Sequence, residues 1–253
     1  MVKTSTSDRL PLSPTRSPDD SFVWWQSLLF ALALFVALAV PGVFVLVFFI
    51  VSGIATIREV QTLSWQTLLA QLVGYAAVLA LMIPLLPMIA RRSWRALGLR
   101  APRLGDLGWA VAGTVVMVLA TAATGAAQDA AFHLKPDEVQ VHWLRGARGP
   151  LIGEFVLFAC VAGPFVEELT FRGFVFNALR RYMPVWVAVV LSSIVFGLAH
   201  AQPGNAGALV PLMVGGAVLA LVYARTGSLI ASMLTHAAFN SVTVVAVLVL
   251  HQS

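Results

Sequence analysis

With 253 residues, of which 59% are hydrophobic and only 11% charged, the chain excludes an ordinary soluble globular domain and indicates a membrane protein. Its formal net charge of +5 does not indicate nucleic-acid binding, because the basic residues lie between apolar stretches and not in one block with interleaved aromatic residues. We interpret these basic residues as determinants of membrane topology and as contacts to membrane lipids.

Seven apolar stretches follow a polar N-terminal tail and predict an all-α bundle of about seven transmembrane spans. Residues 1–20 are rich in Ser, Pro and Thr and predict a disordered cytoplasmic tail, whereas residues 21–253 are expected to form a single transmembrane helical domain. The predicted spans are Phe22–Ile57, Trp65–Ala90, Leu107–Ala127, Leu151–Arg181, Pro184–His200, Ala206–Ala224 and Ser228–Leu250. Between the third and fourth spans, Asp129–Gly149 is predicted to be a polar loop.

The basic residues are distributed unequally between the two sides of the predicted bundle. If the N-terminus lies inside, eleven of them fall on the cytoplasmic side and four on the other side. Because cytoplasmic loops carry an excess of Lys and Arg, this distribution predicts that the N-terminus lies inside and the C-terminus outside. Only two of the 16 basic residues are lysine, Lys3 and Lys135, a bias that we associate with GC-rich bacterial genomes. The expected location is the cytoplasmic membrane of a bacterium.

Charged groups and imidazoles are concentrated in the fourth, fifth and seventh predicted spans, which contain Glu154, Glu167, Glu168, Arg172, His200 and His236. An unpaired charge in the hydrocarbon core costs about 3 kcal/mol or more, so intramembrane ionisable residues indicate a functional site. We find no such group in the apolar stretches of the second, third and sixth spans. The sequence therefore predicts a site built from the fourth, fifth and seventh spans.

Helical spacing assigns different directions to these side chains. Glu168 and Arg172 are four residues apart on one helix face and predict an ion pair, whereas Glu167 is rotated by about 100° from Glu168. Glu167 and His200 lie equally far from the turn at Met183–Pro184, so the two side chains are expected to meet. His236 is expected to lie less deep by roughly 11 Å, at about 1.5 Å per helical residue. Tilt or a protruding hairpin would be needed to close that difference.

Three motifs occur in order on these late spans. They are Glu-Glu-x-x-x-Arg at Glu167–Arg172, Phe-x-x-x-His at Phe196–His200 and His-x-x-x-Asn at His236–Asn240. Together they resemble the signatures of the CPBP (Abi, CAAX protease-like) family of intramembrane proteases. The resemblance covers Leu151–Leu250, which we take as the catalytic core, and Leu97–Arg100 is similar to a segment common in bacterial members.

The resemblance implies a glutamic-type endopeptidase with its active site between the late helices. Glu167 would act as the general base on a water molecule that His200 helps to hold, and His236 and Asn240 would donate hydrogen bonds to the oxyanion. The implied structural supports are Glu168, Arg172 and Phe196. The substrate would be a membrane-associated, lipidated or sorting-tagged protein or peptide precursor, and no cofactor is expected.

Three alternatives stay open on the sequence. Glu167, His200 and His236 have the ligand composition of some catalytic zinc sites, so the same protease could be zinc-dependent. A transporter also keeps carboxylates and histidines inside the bilayer, although the spans show no paired inverted halves. A non-catalytic membrane scaffold or immunity protein is the third alternative. The substrate, the cleavage position, the face from which the substrate approaches and the oligomeric state are not predicted.

Overall fold

The protein is described by a computed structural model, which covers residues 22–56, 63–136, 139–202 and 204–250. Within these ranges the chain forms helices, turns and connecting segments, with no strand. The helices are α1 Trp24–Val51, α2 Trp65–Ala90, α3 Leu104–Phe132, α4 Val139–Gly146, α5 Pro150–Tyr182, α6 Val185–Ala199, α7 Ala206–Thr226 and α8 Leu229–Leu250. The predicted tail, residues 1–20, lies outside the described residues.

The architecture is the predicted polytopic helical bundle. In the described part of the chain, six helices are long and apolar enough to cross a membrane: α1, α2, α3, α5, α7 and α8. The seventh apolar helix, α6, has 15 residues and is therefore about 22 Å long, short of a hydrocarbon core of about 30 Å. The fold prediction of about seven apolar spans is confirmed, with one of them shorter than a full crossing.

Two predicted boundaries are wrong. The first span ends at Val51 and not at Ile57, and Pro41 lies inside α1 without ending it. The segment Asp129–Gly149 is not a continuous polar loop, because α3 continues to Phe132 and α4 is helical. The physical reason for α4 is that its Leu144 is buried against α5 and α8. Eight residues of mixed polarity give too weak a periodicity for this helix to be predicted from sequence.

Three apolar clusters hold the bundle together. The largest joins α1, α2, α5, α6, the end of α7 and the start of α8, and it includes Phe30, Met82, Leu169, Phe176, Val189 and Leu229. A second cluster joins α3, α7 and α8 through Met117, Leu219 and Ala231. The third joins α4, α5 and α8 through Leu144, Phe155 and Val247. Helices α5 and α8 belong to clusters on different sides, and they carry most of the predicted site.

Helix α5 changes its winding on both sides of the paired glutamates. Two π-helical segments, Phe158–Ala162 and Leu169–Phe176, flank a short α-helical segment, Gly163–Glu168. Pro164 has no backbone N–H to donate, so regular α-helical bonding is interrupted at this residue. Single π-helical turns are frequently found at functional sites. The irregular winding therefore occurs around the residues that carry the first motif.

The connection between α2 and α3 is fastened to the turn between α7 and α8. The backbone N–H of Leu229 donates to the Gly98 carbonyl at 2.9 Å, and the Tyr223 hydroxyl donates to the Leu97 carbonyl at 2.9 Å. Arg100 pairs with Asp106 at 2.7 Å and also contacts the carbonyl at the end of α7. Gly98 has a φ of +94°, and a Cβ there would lie 2.5 Å from the carbonyl oxygen of Gly227. Leu97–Arg100 thus fixes the start of α8, which carries His236.

Candidate active site

Glu167 has two carboxylate oxygens in different surroundings. Its Oε1 accepts a hydrogen bond from the Tyr75 hydroxyl of α2 at 3.0 Å. Its Oε2 is buried and has no hydrogen-bond partner among the described residues. Oε2 lies 3.5 Å from His200 Nε2 and 3.9 Å from His236 Nε2. One oxygen is therefore fixed by a hydroxyl, and the other faces two imidazoles.

His200 follows the last residue of α6, and its ring orientation is set by its own helix. Nδ1 lies 2.7 Å from the carbonyl oxygen of Phe196. A carbonyl oxygen only accepts hydrogen bonds, so Nδ1 carries the proton. In the neutral imidazole, Nε2 is then the unprotonated nitrogen, and it is the one directed at Glu167. This tautomer can accept a hydrogen bond from a group that lies between the two side chains.

His236 is oriented by the second glutamate of the pair. Its Nδ1 lies 3.0 Å from Glu168 Oε1, and a carboxylate in an ion pair accepts, so Nδ1 donates. Its Nε2 faces Glu167. His236 therefore lies at the same depth in the bundle as Glu167, although the count of residues from the turn between α7 and α8 predicts a shallower position. Helix α5 continues past the end of α7, since Asn177 of α5 bonds Tyr223 near the end of α7. This protrusion accounts for part of the difference.

Glu168 is fully buried and has three polar partners. Arg172 NH1 donates to Oε1 at 2.8 Å, which is the ion pair expected from the spacing, and Ser232 Oγ donates to Oε2 at 2.5 Å. Arg172 NH2 donates to the Gly216 carbonyl at 2.8 Å. A buried charge is tolerated when it is paired and hydrogen-bonded in this way. Glu168 connects α5 to α8 through both Ser232 and His236.

The Phe196 ring packs against both imidazoles and the Arg172 guanidinium. Its ring centroid lies 4.6 Å from that of His200, and the Arg172 guanidinium carbon lies 4.8 Å from the Phe196 centroid. The His236 ring lies 5.9 Å away in an edge-on arrangement. A cation over an aromatic face is attracted by the ring quadrupole. Phe196 thus contacts both imidazoles and the guanidinium, which limits the movement of all three.

A cavity of about 710 Å³ opens beside these groups, and Glu167, His200, His236 and Asn240 all line it. Asn240 lies one turn after His236 on α8, and its Nδ2 donates to the Ala159 carbonyl at 2.7 Å. The amide has a second N–H for another acceptor. The apolar part of the wall comes mainly from α3, α7 and α8, including Met117, Val118, Leu212, Phe239, Val242 and Val247.

Sequence reasoning missed two partners of the paired glutamates, Tyr75 and Ser232. The interpretation that the site is built only from the fourth, fifth and seventh spans is wrong, because Tyr75 of α2 bonds Glu167 and helices α3 and α7 line the cavity. Tyr75 was missed because the sequence criteria included carboxylates, imidazoles and strong bases but not the phenol of a tyrosine in an apolar span. The available signal was that a buried Tyr hydroxyl usually has a hydrogen-bond partner.

The zinc alternative uses Glu167, His200 and His236 as ligands. Within the described residues, no group of three His, Cys, Asp or Glu side chains is placed to hold a metal ion. Two ligands of a tetrahedral zinc ion, each about 2.0–2.1 Å from the metal, lie roughly 3.4 Å apart. Glu167 Oε2 lies close to that separation from His200 Nε2, at 3.5 Å, but farther from His236 Nε2, at 3.9 Å. This arrangement does not fit zinc, so we derive no catalytic step through a metal.

The fold and the site define a polytopic helical membrane protein with a partly buried glutamate and two histidines at a cavity. Residues 151–242 match the family model described as Rce1-like, type II CAAX prenyl endopeptidase. The putative membrane peptidase YdiL of Bacillus subtilis (strain 168) is 29% identical over 90 residues, 36% of this chain and 36% of YdiL. The membrane-embedded CAAX protease MroQ of Staphylococcus aureus (strain USA300) is 32% identical over 98 residues, 36% of this chain and 38% of MroQ. No solved structure matches the chain.

The matched segment contains all three motifs. Residues 151–242 are therefore similar to the Rce1-like family, and the resemblance stated from the motifs is confirmed for this part of the chain. The chain matches a little over a third of the length of these curated relatives. Tyr75 and Leu97–Arg100 lie before the matched segment.

Proposed function

We propose that the protein is an intramembrane endopeptidase that hydrolyses a peptide bond of a membrane-associated protein or peptide. The observation that carries the proposal is the partnerless Oε2 of Glu167, which faces two imidazoles beside a cavity. A buried carboxylate oxygen without a partner has an unmet need for a hydrogen-bond donor. A water molecule supplies two such donors and is the second substrate of a hydrolase.

In the proposed reaction, one water hydrogen bonds Glu167 Oε2 and the other bonds His200 Nε2. The separation of 3.5 Å between these two atoms allows one water molecule to lie within hydrogen-bond distance of both. Glu167 takes the first proton while the water oxygen forms a bond to the peptide carbonyl carbon. When the C–N bond of the tetrahedral intermediate breaks, Glu167 returns that proton to the leaving nitrogen.

The oxyanion of the tetrahedral intermediate requires donors on the other side of the substrate carbonyl. We assign this role to His236 and Asn240. His236 Nδ1 donates to Glu168, so its Nε2 donates to the oxyanion only when the ring is an imidazolium. Asn240 supplies the N–H that is not used by the Ala159 carbonyl. Loss of one oxyanion donor typically lowers kcat by about 10²–10³-fold.

The remaining side chains of the site act by positioning Glu167, His200, His236 and Asn240. Arg172 neutralises Glu168, and Glu168 holds the His236 ring, so the second glutamate is a positioning residue. Phe196 holds both imidazole rings by packing. Tyr75 occupies Oε1 of Glu167 and leaves Oε2 to take the proton. These contacts support a rigid base, which general-base catalysis requires.

The substrate that we propose is a membrane-associated protein or peptide precursor that is lipidated or carries a sorting tag. The apolar wall of the cavity suits an apolar segment or a lipid chain next to the scissile bond. We propose no cofactor, in line with the misfit of the zinc geometry.

We propose that the protein lies in the cytoplasmic membrane of a bacterium with its N-terminus inside. Five arginines lie in the connection between α2 and α3, at the end of the bundle that also contains Arg180, Arg181 and Arg225. The cavity includes residues at the opposite end, such as Lys135 and Arg145, and it then opens toward the outside. Alkaline phosphatase, which is active only outside the cytoplasm, should be active when fused after Leu250 and inactive when inserted near Arg95. The reverse result would invert the orientation.

Glu167→Gln tests the proposed activity directly. Glutamine keeps the shape but cannot take the proton, so cleavage should fall by about 10²–10⁴-fold while the protein still accumulates in the membrane. The matched control is Glu154→Gln, which changes an exposed glutamate of the same helix. We would compare the membrane peptidomes of the two strains with the parent by mass spectrometry.

Three outcomes of this comparison contradict the proposal or identify an alternative. A scaffold or immunity protein would keep its function in the Glu167→Gln strain. A transporter would lose its function in that strain without any change in the peptides that accumulate. Peptidomes that are identical in the parent and the Glu167→Gln strain would therefore overturn the proteolytic assignment.

A further inference from the structure

The cavity of the proposed active site has a basic rim, which we define as Lys135, His142 and Arg145. All three line the cavity and are exposed. They come from two adjoining elements, since Lys135 lies in the connection after α3 and the other two lie three residues apart on α4. Residues three apart on a helix share a face. The rim thus presents basic side chains from two elements to one opening.

The rim is held in place by buried contacts. Gln128 Nε2 of α3 donates to the Leu134 carbonyl at 3.0 Å and also bonds the Gly207 carbonyl of α7. The Lys135 carbonyl lies so close to Gly207 that no Cβ fits there. On α4, Leu144 is buried against Val244 and Val247 of α8. Lys135 and Arg145 are therefore presented by backbone that is anchored to three helices.

The described residues at the rim of the cavity are all basic. Its ionisable lining residues are Glu167, His200 and His236 at the proposed catalytic centre and the three members of the basic rim. Within the described part of the chain, neither Lys135 nor Arg145 forms an ion pair with a carboxylate. Among the residues that the structure describes, Glu167 is the only acidic one that lines the cavity. An opening lined by one sign of charge attracts the opposite charge.

The distance from α4, which carries His142 and Arg145 of the rim, to the catalytic centre follows from α8. His236 is eight to eleven residues from Val244 and Val247, against which α4 packs, and this corresponds to about 12–16 Å. An extended peptide advances about 3.3–3.4 Å per residue. A substrate with its scissile bond at Glu167 would therefore reach Arg145 on α4 about four or five residues away from that bond.

We propose that Lys135 and Arg145 bind a carboxylate of the substrate about four or five residues from the scissile bond. The carboxylate belongs either to an Asp or Glu side chain or to the C-terminus of the substrate. The proposal rests on the proposed proteolytic function and adds a substrate class to it: apolar peptides with one negative charge at a set distance from the cleaved bond.

The test uses purified full-length protein in phosphatidylcholine nanodiscs and a set of synthetic apolar peptides. Each peptide carries one Asp, Asn or Lys at a successive position and is made with either a free or an amidated C-terminus. Mass spectrometry measures the cleavage site and kcat/KM. Preference for Asp at one position in amidated peptides would identify a side-chain carboxylate, and loss of cleavage on amidation would identify the C-terminal carboxylate.

The variant Lys135→Gln/Arg145→Gln should lower kcat/KM for the acidic peptide by roughly twofold to thirtyfold, which is the range expected for the loss of two exposed ion pairs. Cleavage of the neutral peptide should not change. The control is Arg92→Gln/Arg95→Gln, which removes two exposed arginines at the opposite end of the bundle. The charge reversal Lys135→Glu/Arg145→Glu should shift the preference from Asp to Lys. Added salt should weaken the wild-type preference, since exposed charges are screened.

The outcomes separate the two proposals. Absence of any cleavage that depends on Glu167 refutes the proteolytic function and this inference with it. Cleavage that depends on Glu167 but shows no acidic preference refutes only the inference. A preference that persists in Lys135→Gln/Arg145→Gln also refutes it. The rim could instead bind lipid phosphate. In that case, in nanodiscs of phosphatidylglycerol, Lys135→Gln/Arg145→Gln would change the cleavage of acidic and neutral peptides equally. This result too would overturn the proposal.

Discussion

Replacing Tyr75 with phenylalanine removes one hydroxyl from the proposed active site and leaves the rest of that side chain in place. The ring stacks on Phe158 with a centroid distance of 5.2 Å, and phenylalanine keeps this contact. The lost interaction is the hydrogen bond of 3.0 Å to Glu167 Oε1. Without it, Glu167 can rotate and present either oxygen to the imidazoles. The substitution therefore tests whether the proposed base must be held in one orientation.

The expected magnitude follows from the charge of the acceptor. A hydrogen bond to a charged group contributes about 1.5–3 kcal/mol. If this energy holds Glu167 in its reactive orientation, its loss lowers kcat by roughly 10-fold to 150-fold. KM should change little, because Tyr75 is absent from the residues that line the cavity. A change in kcat without a change in KM identifies a positioning role.

The assay is peptide cleavage by the purified variant in nanodiscs, with the pH profile of kcat recorded beside it. Tyr182→Phe is the matched control, because it removes a hydroxyl that donates to the Phe22 carbonyl at 2.7 Å, away from the site. The control should keep the wild-type kcat and pH profile. Wild-type kcat in Tyr75→Phe would refute the reasoning, and so would equal losses in both variants.

Three further predictions concern the supporting structure and the zinc alternative. Glu168→Gln should lower the free energy of unfolding by about 3–5 kcal/mol, because it leaves the buried Arg172 without its counter-charge. The control Glu154→Gln should leave the stability unchanged, and thermal unfolding measures both variants. Gly98→Ala should destabilise the protein by at least about 1–3 kcal/mol, because residue 98 has a φ of +94° and the Gly227 carbonyl occupies the space that a Cβ would need. The control Gly105→Ala has open space around it and should not be destabilised. Equal melting temperatures of the two variants would contradict this prediction. Enzyme that has been treated with a chelator should keep its activity and contain no stoichiometric metal. Elemental analysis measures the metal content, and a cleavage assay on the same sample measures the activity. If activity is lost on chelation and recovered on adding zinc, the metal-dependent alternative is favoured.

The apolar spans and the three motifs could be predicted from the sequence because each depends on short-range patterns. Runs of about 20 apolar residues specify transmembrane helices without knowledge of their neighbours. Spacing of four residues brought Glu168 and Arg172 onto one helix face, and the two are paired in the structure. The short helix α4 could not be predicted this way. Its stability depends on Leu144 packing on α8, about 100 residues further along the chain.

The partners of the paired glutamates depend on contacts between distant parts of the chain. Tyr75 and Glu167 are 92 residues apart in sequence, and Ser232 and Glu168 are 64 residues apart. No local pattern indicates which hydroxyl in an apolar span finds a carboxylate. The tautomers of His200 and His236 also require coordinates, because they depend on which acceptor lies beside Nδ1. Which oxygen of Glu167 faces the imidazoles is therefore a property of the fold.

Glu167 and Glu168 are neighbours in sequence, yet their surroundings give them opposite properties. Glu168 has donors on both oxygens, from Arg172, His236 and Ser232, so its charge is compensated and it has no remaining demand for water. Glu167 has a donor on one oxygen only. Among the described residues, its Oε2 is the only carboxylate oxygen that is buried without a hydrogen-bond partner. Such an atom costs about 1–3 kcal/mol unless a water molecule bonds it. Since the fold satisfies the neighbouring glutamate completely, the unmet bond at Glu167 supports our proposal that this oxygen holds the hydrolytic water.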